Sequence, residues 1–240
     1  MRILPHIEII GLSLYFRSTL IITDVHIGYE ESLNMQGILV PRLQFEEMAG
    51  RIKGILEQLK NKKLERIVVN GDLKHEFGTI SEQEWRNTLK FLDLLAEHCN
   101  EIILVKGNHD TIIGPIASKR NVKVVEHFAV GRALITHGDK VPAIIKDYST
   151  IIIGHEHPAV SIKDGARVER FKCFLKGKYK GKFLIVQPSF NAIIEGTDML
   201  RDKTLSPFLK QNLDSFDVYI VEDRVYKFGN LGRFRRERFH

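Results

Sequence analysis

Histidine, aspartate and asparagine side chains directly follow five short apolar runs in this chain. Each run is rich in β-branched residues and is bounded by polar ones, which is typical of a buried parallel strand. Open α/β sheets bind ligands at the carboxyl ends of such strands, and adjacent strands lie about 5 Å apart, so these loops can converge on one site. The side chains concerned are Asp24 and His26, Asp72, Asn108 with His109 and Asp110, His137, and His155 with His157.

This set of side chains predicts a centre of two divalent metal ions. It is too large for one structural zinc, which takes four ligands and usually includes cysteine. Oxygen and imidazole ligands without thiolate favour Mn²⁺, Fe or Zn²⁺. Two such ions lie about 3.5–4 Å apart, activate a bound water and clamp phosphoryl oxygens, which suits phosphoester hydrolysis. We expect Asp72 to bridge them, because its strand is central and its loop lies between the other ligand loops in the sequence.

An alternation of strands and helices must position these loops. Apolar residues at helical spacing predict a helix over residues 41–61, and the capping box Ser81-Glu82-Gln83-Glu84 predicts a second helix that ends near His98. Residues 27–40 contain two glycines and are expected to form a loop over the site. The predicted strands cover residues 12–16, 19–23, 66–70, 101–105, 133–136 and 150–153.

The C-terminal third has short alternating strands and turn residues rather than helices. We expect a β-meander over residues 159–187, with residues 176–182 as a basic hairpin turn, and a last hairpin over residues 218–228. The order of elements predicts a mixed sheet covered by helices, with a second, antiparallel sheet packed behind it. We expect a single domain of residues 1–240, in which residues 158–240 complete the second sheet and carry a basic C-terminal tail.

Composition limits the class of protein. Hydrophobic residues make up 43% of the 240 residues, enough for a sizeable core, and the formal net charge of +6 permits an anionic partner without requiring one. Cys99 and Cys173 form no CxxC pair, which disfavours a zinc knuckle or a disulfide framework. The sequence shows no signal segment and no apolar run of membrane-spanning length, so we expect a cytoplasmic protein without a membrane partner.

The polar loops also resemble a known family. They are similar, in order, to the five-part signature of calcineurin-like metallophosphoesterases: Asp24-x-His26, Gly71-Asp72, Gly107-Asn108-His109-Asp110, His137 and Gly154-His155-x-His157. The resemblance implies an α/β fold, a four-layer α/β/β/α sandwich with two mixed sheets flanked by helices. It also implies that one ion is bound by Asp24, His26, Asp72 and His157, and the other by Asp72, Asn108, His137 and His155.

The same resemblance implies roles at the substrate. His109 is expected to contact the scissile phosphate beside Asn108 and to protonate the leaving group, and Asp110 is expected to orient His109. Mn²⁺ is the preferred ion, with Fe, Zn²⁺, Ni²⁺ and Co²⁺ as alternatives. His75 either contacts the substrate phosphate or supports a ligand, and both roles stay open. Glu156, between two expected ligands, is interpreted as a residue that faces outward or caps a backbone group.

A narrower resemblance concerns the substrate. Asp72-Leu73-Lys74-His75 is similar to the Asp-x-x-His of SbcD-type DNA repair nucleases, in which that histidine positions the DNA phosphate. Gly28-Tyr29-Glu30, His157-Pro158-Ala159 and Gln187-Pro188-Ser189-Phe190 are similar to a compact group that includes the bacterial ligase-associated DNA endonuclease and archaeal relatives. This group implies cleavage of a phosphodiester in single-stranded or end-containing DNA, and it is compatible with a homodimer.

Two other functions stay open. A small-molecule phosphodiesterase or phosphatase could use the same site on a nucleotide or cyclic nucleotide. A non-catalytic metal-binding scaffold of a repair complex could retain the site for its shape. The intact Asn108, His109 and His137 argue against the scaffold, which needs no group to protonate a leaving group.

Overall fold

The computed structural model describes residues 1–76 and 81–237. Seven strands form the first sheet: β1 (Arg2–Leu4), β2 (Ile7–Ile10), β3 (Ser13–Phe16), β4 (Thr19–Thr23), β5 (Arg66–Asn70), β6 (Glu101–Val105) and β7 (Lys123–Val125). The strands lie in the sheet in this same order. β1 to β4 pair antiparallel and β4 to β7 pair parallel, so the sheet is mixed.

Nine strands form the second sheet: β8 (Phe128–Val130), β9 (Ala133–Ile135), β10 (Thr150–Ile153), β11 (Pro158–Asp164), β12 (Arg167–Tyr179), β13 (Lys182–Val186), β14 (Thr197–Asp198), β15 (Asp217–Val221) and β16 (Val225–Asn230). The main path runs β14-β11-β12-β13-β10-β9-β8, and β15 pairs with β12 and β16. β9, β10 and β13 run parallel, so the expectation of an antiparallel second sheet is wrong. The crossover from β9 to β10, which contains the 3₁₀ helix Ala143–Asp147, permits this arrangement.

Outside the two sheets, the structure has α1 (Tyr29–Met35), α2 (Gln44–Gln58), α3 (Glu82–Ala96), α4 (Gly114–Lys119), α5 (Leu231–Glu237) and a 3₁₀ helix at Pro207–Leu209. Met48 of α2 and Phe91 of α3 pack in one apolar cluster with the outer face of the first sheet. Phe208 and Leu231 pack on the second sheet. These layers confirm the predicted α/β fold with two mixed sheets flanked by helices.

A third apolar cluster fills the space between the sheets. Val68 of β5 is fully buried there against residues of the second sheet, among them Ile152, Phe174 and Ile185. Burial of such side chains is the main favourable contribution to folding. Because neither sheet can bury this face alone, we propose that residues 1–240 form one domain.

The N-terminal half contains four elements that the sequence did not predict. Residues 2–10 form β1 and β2, and α4 lies in a segment without a clear pattern. Residues 27–40, expected as a loop, contain α1, whose first turn carries Glu30 and Glu31. Acidic side chains in a first turn favour a helix through its dipole, but α1 is too short for a periodic apolar signal. Phe77 and Gly78, which follow Glu76 in the sequence, lie outside the described residues.

The basic segments of the C-terminal third form parts of regular strands and a helix. β12 pairs with β13 as far as Tyr179 opposite Lys182, so the turn contains Lys180 and Gly181 rather than all of residues 176–182. The tail is helical in α5, where Arg235 lies 2.5 Å from Asp214. Within the described residues, none of the helices is long and apolar enough to cross a membrane.

Phe174→Ala should lower the free energy of unfolding by about 3–5 kcal/mol, because it leaves a cavity between the two sheets. The measurement is urea denaturation followed by circular dichroism. Phe183→Ala on β13 is the matched control, since this ring is 43% exposed and should cost far less. Equal losses in the two variants would contradict a packed core between the sheets.

Candidate metal centre

Loops from both sheets meet at one edge of the molecule. On the first sheet, β4, β5 and β6 end in register, with Thr23 beside Asn70 and Asn70 beside Val105. Their loops therefore leave the sheet at the same level. The second sheet supplies the loops that follow β9 and β10. The structure brings together all of the predicted ligands: Asp24, His26, Asp72, Asn108, His137, His155 and His157.

Asp24, His26 and His157 form the first group of side chains that could hold an ion, with ligand atoms within 4.8 Å of one another. His157 Nε2 lies 3.5 Å from Asp24 Oδ2 and 3.4 Å from His26 Nε2. The aspartate and one histidine come from the first sheet, and the other histidine comes from the second.

Asp72, His137 and His155 form the second group. His137 Nε2 lies 3.5 Å from Asp72 Oδ2, 3.0 Å from His155 Nδ1 and 2.9 Å from Asn108 Oδ1. Asp72 Oδ2 also lies 3.7 Å from His26 Nε2 of the first group. Asp72 therefore belongs to the second group and also lies close to the first, which suits a carboxylate shared by two ions.

The donor set fits divalent ions. Asp24 Oδ1 and His137 Nδ1 are buried 3.5 Å apart, and neither atom has a hydrogen-bond partner within the part of the chain that the structure describes. A buried polar atom without a partner costs about 1–3 kcal/mol, which a bound cation removes at the carboxylate. Carboxylate, amide and imidazole donors without thiolate suit Mn²⁺, Fe or Zn²⁺.

Burial favours the neutral form of three histidines of the centre. It lowers the pKa of His26 well below its ordinary value and lowers the pKa of His137 to about 4. Burial also lowers the pKa of His155. A neutral imidazole has a free lone pair for a metal ion, whereas an imidazolium does not. The buried histidines are therefore in the form that a ligand requires at neutral pH.

The two carboxylates of the centre have pKa values that move in opposite directions. Burial raises the pKa of Asp24, but His157, His137 and His26 lower it more, so the net shift is downward. Burial and the charge of Asp24 raise the pKa of Asp72. Bound cations reverse this local repulsion and favour the ionised form of both groups.

Five expected ligands have a left-handed backbone, with φ of 51° at Asp24, 48° at His26, 46° at Asp72, 63° at His155 and 49° at His157. Such conformations cost about 1–3 kcal/mol each for residues other than glycine, and they cluster at functional sites. Hydrogen bonds between the loops impose them. The His26 N–H donates to the Asp72 carbonyl and the His155 N–H donates to Asp24 Oδ2, both at 2.9 Å.

Two polar residues at strand ends form hydrogen bonds beneath the ligand loops, on the side of the strands. Thr23 Oγ1 donates to the Asn70 carbonyl at 2.6 Å and lies 2.9 Å from Asp24 Oδ2. Asn70 Nδ2 donates to the Thr136 carbonyl at 3.1 Å, which links β5 to the end of β9 in the other sheet. Their signal in the sequence is a polar residue that closes an apolar run, but the sequence analysis assigned them no role.

The segment after β13 holds the first ligand loop. Ser189 Oγ donates to the Asp24 carbonyl at 2.7 Å, and Asn191 Nδ2 donates to the His26 carbonyl at 3.2 Å. Gln187 Nε2 donates to the Ile21 carbonyl on β4 at 2.9 Å. Residues 187–190 carry part of a family resemblance in the sequence, but no local pattern there predicts this contact with the ligand loop.

His109 and His75 lie beside Asp72. His109 Nε2 is 3.9 Å from Asp72 Oδ2, and His109 Nδ1 is hydrogen-bonded to the His75 carbonyl. The His75 and His109 rings stack with centroids 5.3 Å apart, and His75 Nδ1 is 3.4 Å from His26 Nδ1. His75 therefore contacts both a predicted ligand and the predicted acid. The Tyr29 ring of α1 packs against the His75 ring, with centroids 4.8 Å apart.

Two buried carboxylates near the ligands bind backbone groups. Asp110 accepts hydrogen bonds from the Leu73 and Gly107 N–H groups, each at 3.0 Å, and so ties the loop after β5 to the loop after β6. Glu156 accepts hydrogen bonds from the Leu205 and Ser206 N–H groups at 2.9 and 2.8 Å. Of the two interpretations of Glu156, capping is confirmed and an outward orientation is wrong.

The centre lies at the base of an open cleft of about 610 Å³. Histidines and carboxylates of the centre line it, and none of the lining residues in the described part of the chain is a lysine or arginine. The apolar and aromatic lining residues are Tyr29, Leu33, Ile193, Ile194 and Leu205.

Gly107→Ala should weaken metal binding, because its Cβ would lie 2.1 Å from Asp72 Oδ1 and 2.3 Å from the Asp72 backbone nitrogen. We expect the affinity for Mn²⁺ to fall by about tenfold or more, measured by isothermal titration calorimetry. Gly54→Ala in α2 is the control, because a Cβ there has no atom of the described chain within 4 Å. It should keep the affinity and gain about 0.5–1 kcal/mol of stability. Unchanged affinity in Gly107→Ala would show that metal binding does not depend on the close contact between Gly107 and Asp72.

Comparison with known proteins gives the family. Residues 18–139, just over half of the chain, match the family model described as calcineurin-like phosphoesterase. This range contains Asp24, His26, Asp72, Asn108 and His137, and it ends before His155 and His157. No curated protein is significantly similar to the chain in sequence.

Solved structures share the fold at low sequence identity. The structure of nuclease MPE from Pseudomonas putida is 19% identical, with a TM-score of 0.63, and the match covers 90% of this chain and 91% of that one. Vps29 from Entamoeba histolytica, in complex with Zn²⁺, is 15% identical over 88% of this chain and 98% of that one. Its TM-score of 0.38 is too low for a comparison of sites. The family match and the converging ligand loops agree, and the chain belongs to the calcineurin-like phosphoesterases.

Proposed function

We propose that this chain is a phosphodiesterase with two divalent ions, preferably Mn²⁺, and that its substrate is DNA with single-stranded regions or ends. The observation that carries the proposal is the pair of ligand groups that meet at Asp72, with His109 beside them in an open cleft. Members of this family are generally enzymes. Asp24, His26, Asp72 and His157 would hold one ion, and Asp72, Asn108, His137 and His155 would hold the other.

When bound, the ions supply an activated water and offset the charge of the phosphoryl group. The protein contributes the remaining steps. Asn108 lines the cleft, and His75 lies behind it, stacked on His109. Asn108 and His75 would position the phosphate. His109 would donate a proton from Nε2 to the leaving oxygen.

Proton donation by His109 requires the imidazolium form. Its Nδ1 faces the His75 carbonyl, which can only accept, so Nδ1 carries the proton of the neutral ring and Nε2 carries none. Burial lowers the pKa of His109, which disfavours the imidazolium in the free protein. The negative charge of a bound phosphodiester favours it again. His109 would therefore become an acid when the substrate arrives.

DNA is supported by two observations of different kinds. The structurally similar protein from Pseudomonas putida is a nuclease, and the formal net charge of this chain is +6. A single observation favours the second candidate, a small nucleotide phosphodiester. The described lining of the cleft has no lysine or arginine and includes several apolar side chains, which suits one phosphate with a neighbouring base.

His109→Asn should lower kcat by about 10²–10⁴-fold, because it removes the proton donor. Metal content, measured by mass spectrometry, should stay at about two ions per chain, because His109 is not among the proposed ligands. His98→Asn is the control, since this histidine is exposed at the end of the α3 region. Loss of both ions together with activity would make His109 a ligand or a folding residue.

The test of the proposed function is Mn²⁺-dependent cleavage of end-labelled single-stranded DNA beside bis-p-nitrophenyl phosphate, with Asp72→Ala as the inactive control. Cleavage of both substrates is expected. The apparent affinity for DNA should fall steeply with salt, with a log–log slope of about −0.7 per phosphate contacted.

The other outcomes separate the alternatives. Cleavage of the small diester alone, with no response of its KM to salt, would support the nucleotide phosphodiesterase. Stoichiometric Mn²⁺ binding without turnover of either substrate would support the metal-binding scaffold.

A further inference from the structure

Glu84 of α3 binds a loop of the centre instead of its own helix. Ser81 Oγ accepts a hydrogen bond from the Glu84 N–H at 3.0 Å, which is the first half of the expected capping box. The Glu84 side chain does not complete the box. Its Oε1 accepts hydrogen bonds from the N–H groups of His75 at 2.9 Å and Glu76 at 3.1 Å.

The Glu76 N–H and the His75 carbonyl belong to one peptide unit. In a trans peptide the two groups are rigidly coplanar and point in opposite directions. Glu84 holds the N–H end of this unit, and the carbonyl end meets His109 Nδ1. The carboxylate thereby sets the direction of the carbonyl, and it also polarises the carbonyl as an acceptor.

The surroundings give the Glu84 carboxylate little freedom. The side chain is 1% exposed, and a Cβ on Gly28 would lie 3.0 Å from its Oε1. Gly28 follows the His26 loop, so Glu84 fills the space between that loop and the His75 loop. Lys74 is fully buried and donates a hydrogen bond to the Glu76 carbonyl. Glu76 is therefore held at its N–H by Glu84 and at its carbonyl by Lys74.

We propose that Glu84 is a positioning residue for His109, acting through the His75–Glu76 peptide to fix both the orientation and the tautomer of the imidazole. The proposal rests on the proposed function in that it takes His109 as the proton donor. A histidine whose Nδ1–H is held by a carbonyl presents Nε2 to the reaction, and loss of that carbonyl releases the ring.

The first test needs no metal and no substrate. The ¹⁵N chemical shifts of the His109 ring in the metal-free protein report its tautomer, and the spectrum of His109→Asn assigns the signals. We expect the Nδ1–H tautomer in the wild type and in Glu84→Gln, whose amide oxygen can accept the same two hydrogen bonds. Glu84→Ala should show mixed tautomers. An unchanged tautomer in Glu84→Ala would overturn the proposal.

The second test uses phosphodiesters whose leaving groups have increasing pKa values, from p-nitrophenol through phenol to an alkyl alcohol. A poor leaving group needs the acid, and an activated one does not. Glu84→Ala should lower kcat by about 10²-fold for the alkyl ester and far less for the p-nitrophenyl ester. Glu84→Gln should keep the wild-type kcat for both the alkyl and the p-nitrophenyl ester. Glu82→Ala, an exposed residue in the same helical turn, is the matched control.

The outcomes distinguish a failure of this proposal from a failure of the proposed function. A uniform loss for all leaving groups in Glu84→Ala would mean a structural role and would overturn the proposal. The double variant with His109→Asn should be no worse than His109→Asn alone, because both changes remove one function. If His109→Asn itself shows no dependence on the leaving group, the assignment of His109 as the acid fails before Glu84 is tested.

Discussion

The carboxylate of Asp24 connects the two sheets at the edge where the ligand loops meet. Its Oδ2 accepts a hydrogen bond from the His155 N–H of the second sheet and lies 3.5 Å from His157 Nε2. A buried carboxylate is costly unless such partners surround it. The docking of the sheets and the ionisation of Asp24 therefore depend on each other. The lowered pKa of Asp24 is consistent with this dependence: burial alone would raise the pKa, and the neighbouring histidines lower it more.

The parts of the structure that could be predicted from the sequence are those with a local signal. β5 was predicted with its observed bounds, because a β-branched run between polar residues has few other interpretations. α2 and α3 were predicted from apolar spacing and from the Ser81 cap, although each begins or ends a few residues from the expected bounds. The convergence of the loops followed from placing each polar residue after a parallel strand.

The parts that could not be predicted depend on contacts between distant residues. Ser189 binds the Asp24 loop from 165 positions along the chain, and no local pattern marks that contact. The left-handed backbone of the ligands is imposed by hydrogen bonds between loops and has no signature in residue type. For Glu84 a local pattern exists but is misleading. The capping box was identified from the sequence, whereas the Glu84 side chain binds the His75 loop. The spacing of a motif therefore did not determine which partner the carboxylate binds.

Each of the two groups of ligands that contain a carboxylate draws on both sheets, which has a consequence for assembly. Asp24 and His26 meet His157, and Asp72 meets His137 and His155, across the boundary between the sheets. An ion in either group would act as a cross-link that forms when the sheets dock, because a state with one folded sheet offers an incomplete set of ligands. The free energy of metal binding then adds to that of docking. For this chain, metal affinity would be a measure of tertiary assembly, and the buried apolar interface need not supply all of the stability that holds the sheets together.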